Sequence, residues 1–192
     1  MTKVTAITLR PGNVIDRDGD GRLWLVTGYE IMQPGKGASV IQVEMRDVRS
    51  GNKDNVRYRT QEAVERVRLE QAEFQYLYND GEGTYTFMNK ETFDQMEVKQ
   101  DVIGDQAKWL QDGMIVEIEM FEVEPLNVTL PDNVTVEVIE ADPVVKGQTA
   151  TSSYKPAIVT GGVKVLVPPF IDVGTRIVVK TEDGSYSERA KD

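Results

Sequence analysis

The chain has 192 residues, with 32 acidic against 22 basic side chains and a net charge of −10. It contains no cysteine and no histidine, which excludes a disulfide framework, thiolate chemistry, a Ser-His-Asp triad, a histidine metal cage and imidazole acid–base work. Hydrophobic residues make up 40% and charged residues 28%, the balance of a packed globular chain, while the charge opposes long-range attraction to a polyanion.

No apolar run approaches the roughly 20 residues that span a bilayer. Residues 1–12 lack the apolar stretch and cleavage site of a secretory signal. The expectation is a cytoplasmic protein with no membrane partner.

The first third reads as strands. Leu23-Trp24-Leu25-Val26 is a short apolar run, and Ile41, Val43 and Met45 alternate with Gln42, Glu44 and Arg46, the period of a half-buried strand. Asn55–Arg59 reads as a closing strand. Asp18-Gly19-Asp20-Gly21, Pro34-Gly35-Lys36-Gly37 and Ser50-Gly51-Asn52 supply the turns. Strands at this spacing predict a small barrel. In the middle third, Phe74, Tyr76 and Tyr78 are expected on one face, Asn79-Asp80-Gly81 makes a hairpin turn, and Tyr85 and Phe87 return. Lys90–Met96 and Val102–Leu110 read as short helices. Met114, Val116, Ile118 and Met120 share a strand face opposite Glu117 and Glu119, and Pro125 and Pro131 bracket a connector. The last third returns to alternation at Val134, Val136 and Val138, again at Val163, Val165 and Val167, and at Ile177 and Val179 before an Asp183-Gly184 turn. The chain thus divides into three β units of about 60 residues, each marginal alone, with boundaries giving domains 1–64, 65–130 and 131–192.

Local motifs offer little chemistry. Asp16–Gly21 imitates the start of an EF-hand loop, but the twelfth position is Thr27 rather than a bidentate glutamate, so no metal is expected. Gly35-Lys36-Gly37 fails the phosphate-loop pattern, because Glu30 stands where a glycine is required and Gly37 where Ser or Thr is. Glu117/Glu119 and Glu122/Glu124 read as carboxylates of a solvated face rather than as a general acid and base. Lys36 is set apart: Pro34 presets a turn and the flanking glycines remove bulk, so its ε-amine projects toward another molecule or a modifying enzyme. On local sequence alone an ordinary solvated hairpin lysine is the stronger reading, since lysine is among the most exposed residue types.

Three ordered segments resemble the elongation factor P family of bacterial translation factors. Gln33–Ala38 looks like the family's modified-lysine loop. Tyr76–Gly81 with Phe87–Phe93 resembles its central domain. Lys155-Pro156-Ala157, Gly162, Val165, Val167-Pro168, Ile171 and Gly174 fit its C-terminal signature, and the likeness runs from about Leu9 to Arg189. The resemblance implies a mainly β fold of three small barrels, an SH3-like (KOW-type) barrel and then two OB folds, with a tRNA-like overall shape. It implies a non-enzymatic, monomeric factor that binds both ribosomal subunits between the peptidyl-tRNA and exit sites and relieves stalling at consecutive prolines. Lys36, supported by Pro34, Gly35 and Gly37 and lengthened by a β-lysyl-type group from a lysine-modifying enzyme, would reach the peptidyl-tRNA end; no other cofactor is implied. Gly147, Gln148 and Thr149 occupy a loop thought to face the exit-site codon, with Gln148 replacing the family's usual acidic residue. Tyr186 and Arg189 match a terminal motif that contacts the small subunit; a frayed, solvated end is their plain reading.

Two alternatives stand beside this. One is a family paralogue with other stalling targets. The other is a free-standing OB-fold protein for single-stranded nucleic acid, which needs aromatic platforms in a basic groove, a poor match to 7% aromatics and net charge −10. A hydrolase is weaker still. The two-domain, hypusine-bearing relatives lack a third barrel.

Overall fold

A computed structural model describes residues 1–144 and 153–191. It is mainly β. By packing, the described residues form two compact units, Met1–Ala72 with Ile118–Asn127, and Glu73–Glu117 with Val128–Asp192.

The N-terminal sheet comprises β1 (Thr2–Thr5), β2 (Val14–Asp16), β3 (Leu23–Met32), β4 (Val40–Asp47), β5 (Lys53–Arg59) and β6 (Ala63–Val67), in the order β1-β6-β2-β3-β4-β5. Alternation turns Val26, Ile41, Val43, Met45 and Tyr58 onto one buried face, where they pack with Ala6, Leu9, Ile15, Trp24 and Val64. Val14, Val67 and Leu126 form a second small cluster with Leu23, Leu25 and Phe121. Full burial of each such side chain contributes roughly 1.5–3 kcal/mol.

The middle sheet is β7 (Glu70–Asn79), β8 (Thr84–Asn89), β9 (Gln95–Lys99), β10 (Ile115–Phe121) and β11 (Glu124–Thr129), ordered β11-β10-β7-β8-β9. Val116, Ile118 and Met120 are buried on β10 as their alternation predicts. Three readings are corrected. Tyr78 leaves the face of Phe74 and Tyr76 and is 57% exposed, because the register with β8 shifts between Tyr76 and Tyr78. Lys90–Met96 is no helix: the Asn89 side-chain oxygen accepts the N–H groups of Glu91 and Thr92, holding a tight turn before β9. Pro125 sits inside strand β11 rather than in a connector; β11 is a sheet edge, where a missing N–H is tolerated. Val102–Leu110 is helical but short, one α-turn at Gln100–Ile103 followed by a 3₁₀ helix at Gly104–Trp109.

The C-terminal sheet is β12 (Asn133–Ala141), β13 (Lys155–Val159), β14 (Val163–Val167), β15 (Arg176–Lys180) and β16 (Tyr186–Arg189), in the order β14-β13-β12-β15-β16. Val134, Val136, Val138, Val165, Val167, Ile177 and Val179 line its core.

One buried charge ties down the end of the N-terminal hairpin away from its tip. Asp47, 2% exposed, accepts the backbone N–H groups of Arg49 and Ser50 at 2.8 and 2.9 Å and pairs with the Arg22 guanidinium. The Ser50 N–H above all, then Arg22 and the Arg49 N–H, outweigh burial and lower its pKa from 3.8 to about 2. A depressed carboxyl adds stability that is present above the ordinary value and lost as pH falls through the folded one. Acid unfolding of the native chain should therefore show a loss of stability between pH 3.8 and about 2 that Asp47→Asn removes; identical acid limbs by circular dichroism would contradict this role.

Candidate functional site

The site grows out of the longest antiparallel ladder in the N-terminal sheet. Strands β3 and β4 pair from Trp24↔Asp47 to Met32↔Val40, and β4 pairs with β5 from Val40↔Arg59 to Arg46↔Lys53. The ladder slips between Val26 and Gly28. At Gly28 a Cβ would lie 3.0 Å from a carboxylate oxygen of Glu44, so a side chain there would displace the end of the Glu44 side chain.

Gln33–Ser39 closes the hairpin outside the ladder, and Pro34, Gly35, Lys36 and Gly37 are all exposed. Gly37 has φ = +149°, with its would-be Cβ 3.7 Å from Pro34 Cγ. That conformation favours glycine, so the tip is narrow on the far side of Lys36. Among the described residues Lys36 has neither an ion-pair nor a hydrogen-bond partner. Its amine stands beyond the end of a ladder of three paired strands.

The flank of this arm carries both signs of charge, with Glu30 in the row of Gln42 and Arg57 and the Glu62 carboxylate accepting the Arg59 N–H at 3.1 Å. Arg57 and Arg59 alternate on β5 around the buried Tyr58, opposite Gln42 and Val40, and both are exposed. Sequence reading passed over them, although the alternation of Arg57, Tyr58 and Arg59 was the available signal. Arg10 stacks over Tyr29 at 4.7 Å, with its guanidinium donating to the carbonyls of Ile7 and Leu9.

The remaining expected residues lie in the C-terminal sheet. Tyr186 and Arg189 belong to strand β16, opposite Val179 and Ile177 of β15, rather than to a frayed end. Tyr186 meets Tyr154 edge-on at 6.4 Å; burial first, and then Tyr154, raise its pKa. Arg189 is exposed. Gly147, Gln148 and Thr149 lie outside the described residues. The Asp16–Gly21 loop uses its carboxylates internally, Asp16 accepting the N–H groups of Gly19 and Gly21 and Asp20 that of Arg22.

Charge is segregated along the chain. Residues 1–68 carry 12 basic and 9 acidic side chains, 69–130 carry 3 and 14, and 131–192 carry 7 and 9. The negative excess is concentrated in the middle third, and the lysine arm lies in the one segment with a cationic balance.

Sequence comparison gives the family of this β-rich chain. Residues 5–64 match the Elongation factor P (EF-P) KOW-like domain, 69–128 the Elongation factor P (EF-P) OB domain and 134–189 the Elongation factor P C-terminal domain. Elongation factor P of Rhodospirillum centenum is 56% identical over 99% of this chain and 100% of the relative. That of Gluconobacter oxydans is 54% identical over the same shares. A solved structure described as eukaryotic translation initiation factor 5A from Methanococcus jannaschii overlaps 68% of this chain and 92% of its own, with 20% identity and a TM-score of 0.48. The chain belongs to the elongation factor P family and is a translation elongation factor.

An unpartnered amine on a solvent-facing tip is open to electrophiles. Lys36 should be acylated by a water-soluble amine reagent as fast as the most reactive lysines of the unmodified protein, read residue by residue from peptide masses. Protection of Lys36 relative to Lys3 and Lys53 would contradict a free arm.

Proposed function

We propose that the protein binds the ribosome between the peptidyl-tRNA and exit sites and promotes peptide-bond formation on ribosomes stalled at consecutive prolines, with Lys36 as the working residue. The observation that carries this is the exposed, unpartnered Lys36 on a hairpin tip held by a long ladder, in a chain whose full-length relatives are elongation factors P. Proline's ring fixes φ and leaves a hindered secondary amine, so the reaction is limited by geometry. A cation held beside the peptidyl-tRNA end orders that end, and ordering removes part of the entropic barrier.

The factor is not an enzyme in this reading. Its lysine positions the peptidyl-tRNA end, and the ribosome makes the bond. A β-lysyl-type extension added by a lysine-modifying enzyme lengthens the reach of the arm without changing its anchoring. Arg57 and Arg59 favour approach of an RNA backbone on the same side of the sheet. Tyr186 and Arg189, with Gly147, Gln148 and Thr149, are assigned to the small subunit and the exit-site codon. The factor works as a monomer in the cytoplasm.

In reconstituted translation, natively purified protein should speed a reporter with three consecutive prolines and leave a proline-free reporter unchanged. Lys36→Ala should lose the whole of that effect while keeping the wild-type circular dichroism spectrum. Full rescue by the folded variant would remove Lys36 from the mechanism. No effect from material whose mass shows the modification would redirect the assignment to other stalling sequences.

A further inference from the structure

The proposed function leaves one electrostatic question open, since a strongly acidic chain has to hold an RNA machine. A groove of about 320 Å³ within the first compact unit bears on it. Thr2, Asn13, Arg66, Arg68 and Glu119 supply its polar lining.

The strand beneath it is firmly placed. Arg66 lies in β6 between β1 and β2, opposite Thr2 on one side and Ile15 on the other. The next residue, Val67, is 4% exposed and packs with Val14 and Leu126. Arg66, near the end of β6, and Arg68, just past it, are exposed on either side of buried Val67, and both line the groove. Asn13 is held as well: its carbonyl accepts the Val26 N–H at 2.8 Å and its side-chain oxygen accepts the Arg10 N–H at 2.9 Å. Its amide N–H groups remain as donors.

Neither arginine has a carboxylate partner within ion-pair distance among the described residues. Glu119 is the acidic member of the lining, and the Asn127 amide donates to it at 3.3 Å. Two unpaired guanidiniums thus face one hydrogen-bonded carboxylate. Arg66 and Arg68 are also the last cations before a stretch with no further basic residue until Lys90.

We infer that this groove binds the phosphodiester backbone of an RNA strand, with Arg66 and Arg68 on two neighbouring phosphates and Asn13 and Thr2 as neutral hydrogen-bonding groups. Guanidinium is suited to phosphate because its planar fork donates two parallel hydrogen bonds. The contact carries no base recognition; it sets register and orientation. The inference rests on the ribosomal reading and adds to it a second anchorage, separate from the lysine arm.

The test is equilibrium binding of the full chain to 70S ribosomes carrying tRNA in the P site, measured from about 50 to about 200 mM salt. Each phosphate contact contributes about 0.7–0.9 to the slope of log affinity against log salt. The double variant Arg66→Gln/Arg68→Gln should bind more weakly, with a slope shallower by about 1.4–1.8. Arg66→Lys/Arg68→Lys should keep the wild-type slope, and Glu119→Gln should bind more tightly. An unchanged slope in the glutamine double variant overturns the groove while leaving the proposed function standing, and so does a loss of affinity at constant slope, which marks a protein contact instead. Wild-type protein that fails to bind the ribosome overturns both.

Discussion

The candidate site depends on the continuous ladder between Leu23–Met32 and Val40–Asp47, extended by Lys53–Arg59. A two-stranded ribbon alone is marginally stable in water. Here a third strand and a buried face of Ile41, Val43, Met45 and Tyr58 convert it into a stiff arm. Ladder stiffness fixes where the loop begins, and the proline and glycine of the tip define how narrow it is. Ordering a long flexible lysine on a mobile loop would cost more conformational entropy than ordering it on a rigid one. Stiffness in the arm therefore lowers the entropic cost of holding Lys36 against any partner.

Charge organises the same chain in a different way. The overall value of −10 suggests an aversion to nucleic acid, yet the excess is concentrated between residues 69 and 130. At physiological salt, fields of exposed charges fade over roughly 8 Å, so local sign governs contact and net sign does not. Arg57 and Arg59 stand on β5, and Arg66 stands on β6 with Arg68 just past its end. An acidic chain can thus still offer local cationic surface, while the acidic middle third repels polyanions.

Much of the fold was legible because period-2 alternation is a local property. Val116, Ile118 and Met120, or Val134, Val136 and Val138, declare their buried face with no knowledge of what packs on it. The misreadings share a cause. A bulge inserts a residue whose presence depends on the partner strand, so Tyr78 was placed with Phe74 and Tyr76 although it faces out. Lys90–Met96 has the composition of a helix turn, but the Asn89 carboxamide and the pairing of Gln95–Lys99 with β8 decide otherwise. Pro125 reads as a breaker until β11 proves to be an edge.

By itself, then, the sequence determined the class of fold, the position of the turns, the absence of thiol and imidazole chemistry, and the one lysine set between glycines. These follow from side-chain chemistry and from patterns spanning a few residues. Only the tertiary structure decided that Lys36 stands without a partner among the described residues, that Asp47 is buried under three donors, and that Arg66 and Arg68 share a groove with Asn13 and Glu119. The Arg22–Asp47 pair and the shared groove need groups distant in the chain to meet, and meeting is set by strand order and register, which depend on the packing of the whole sheet.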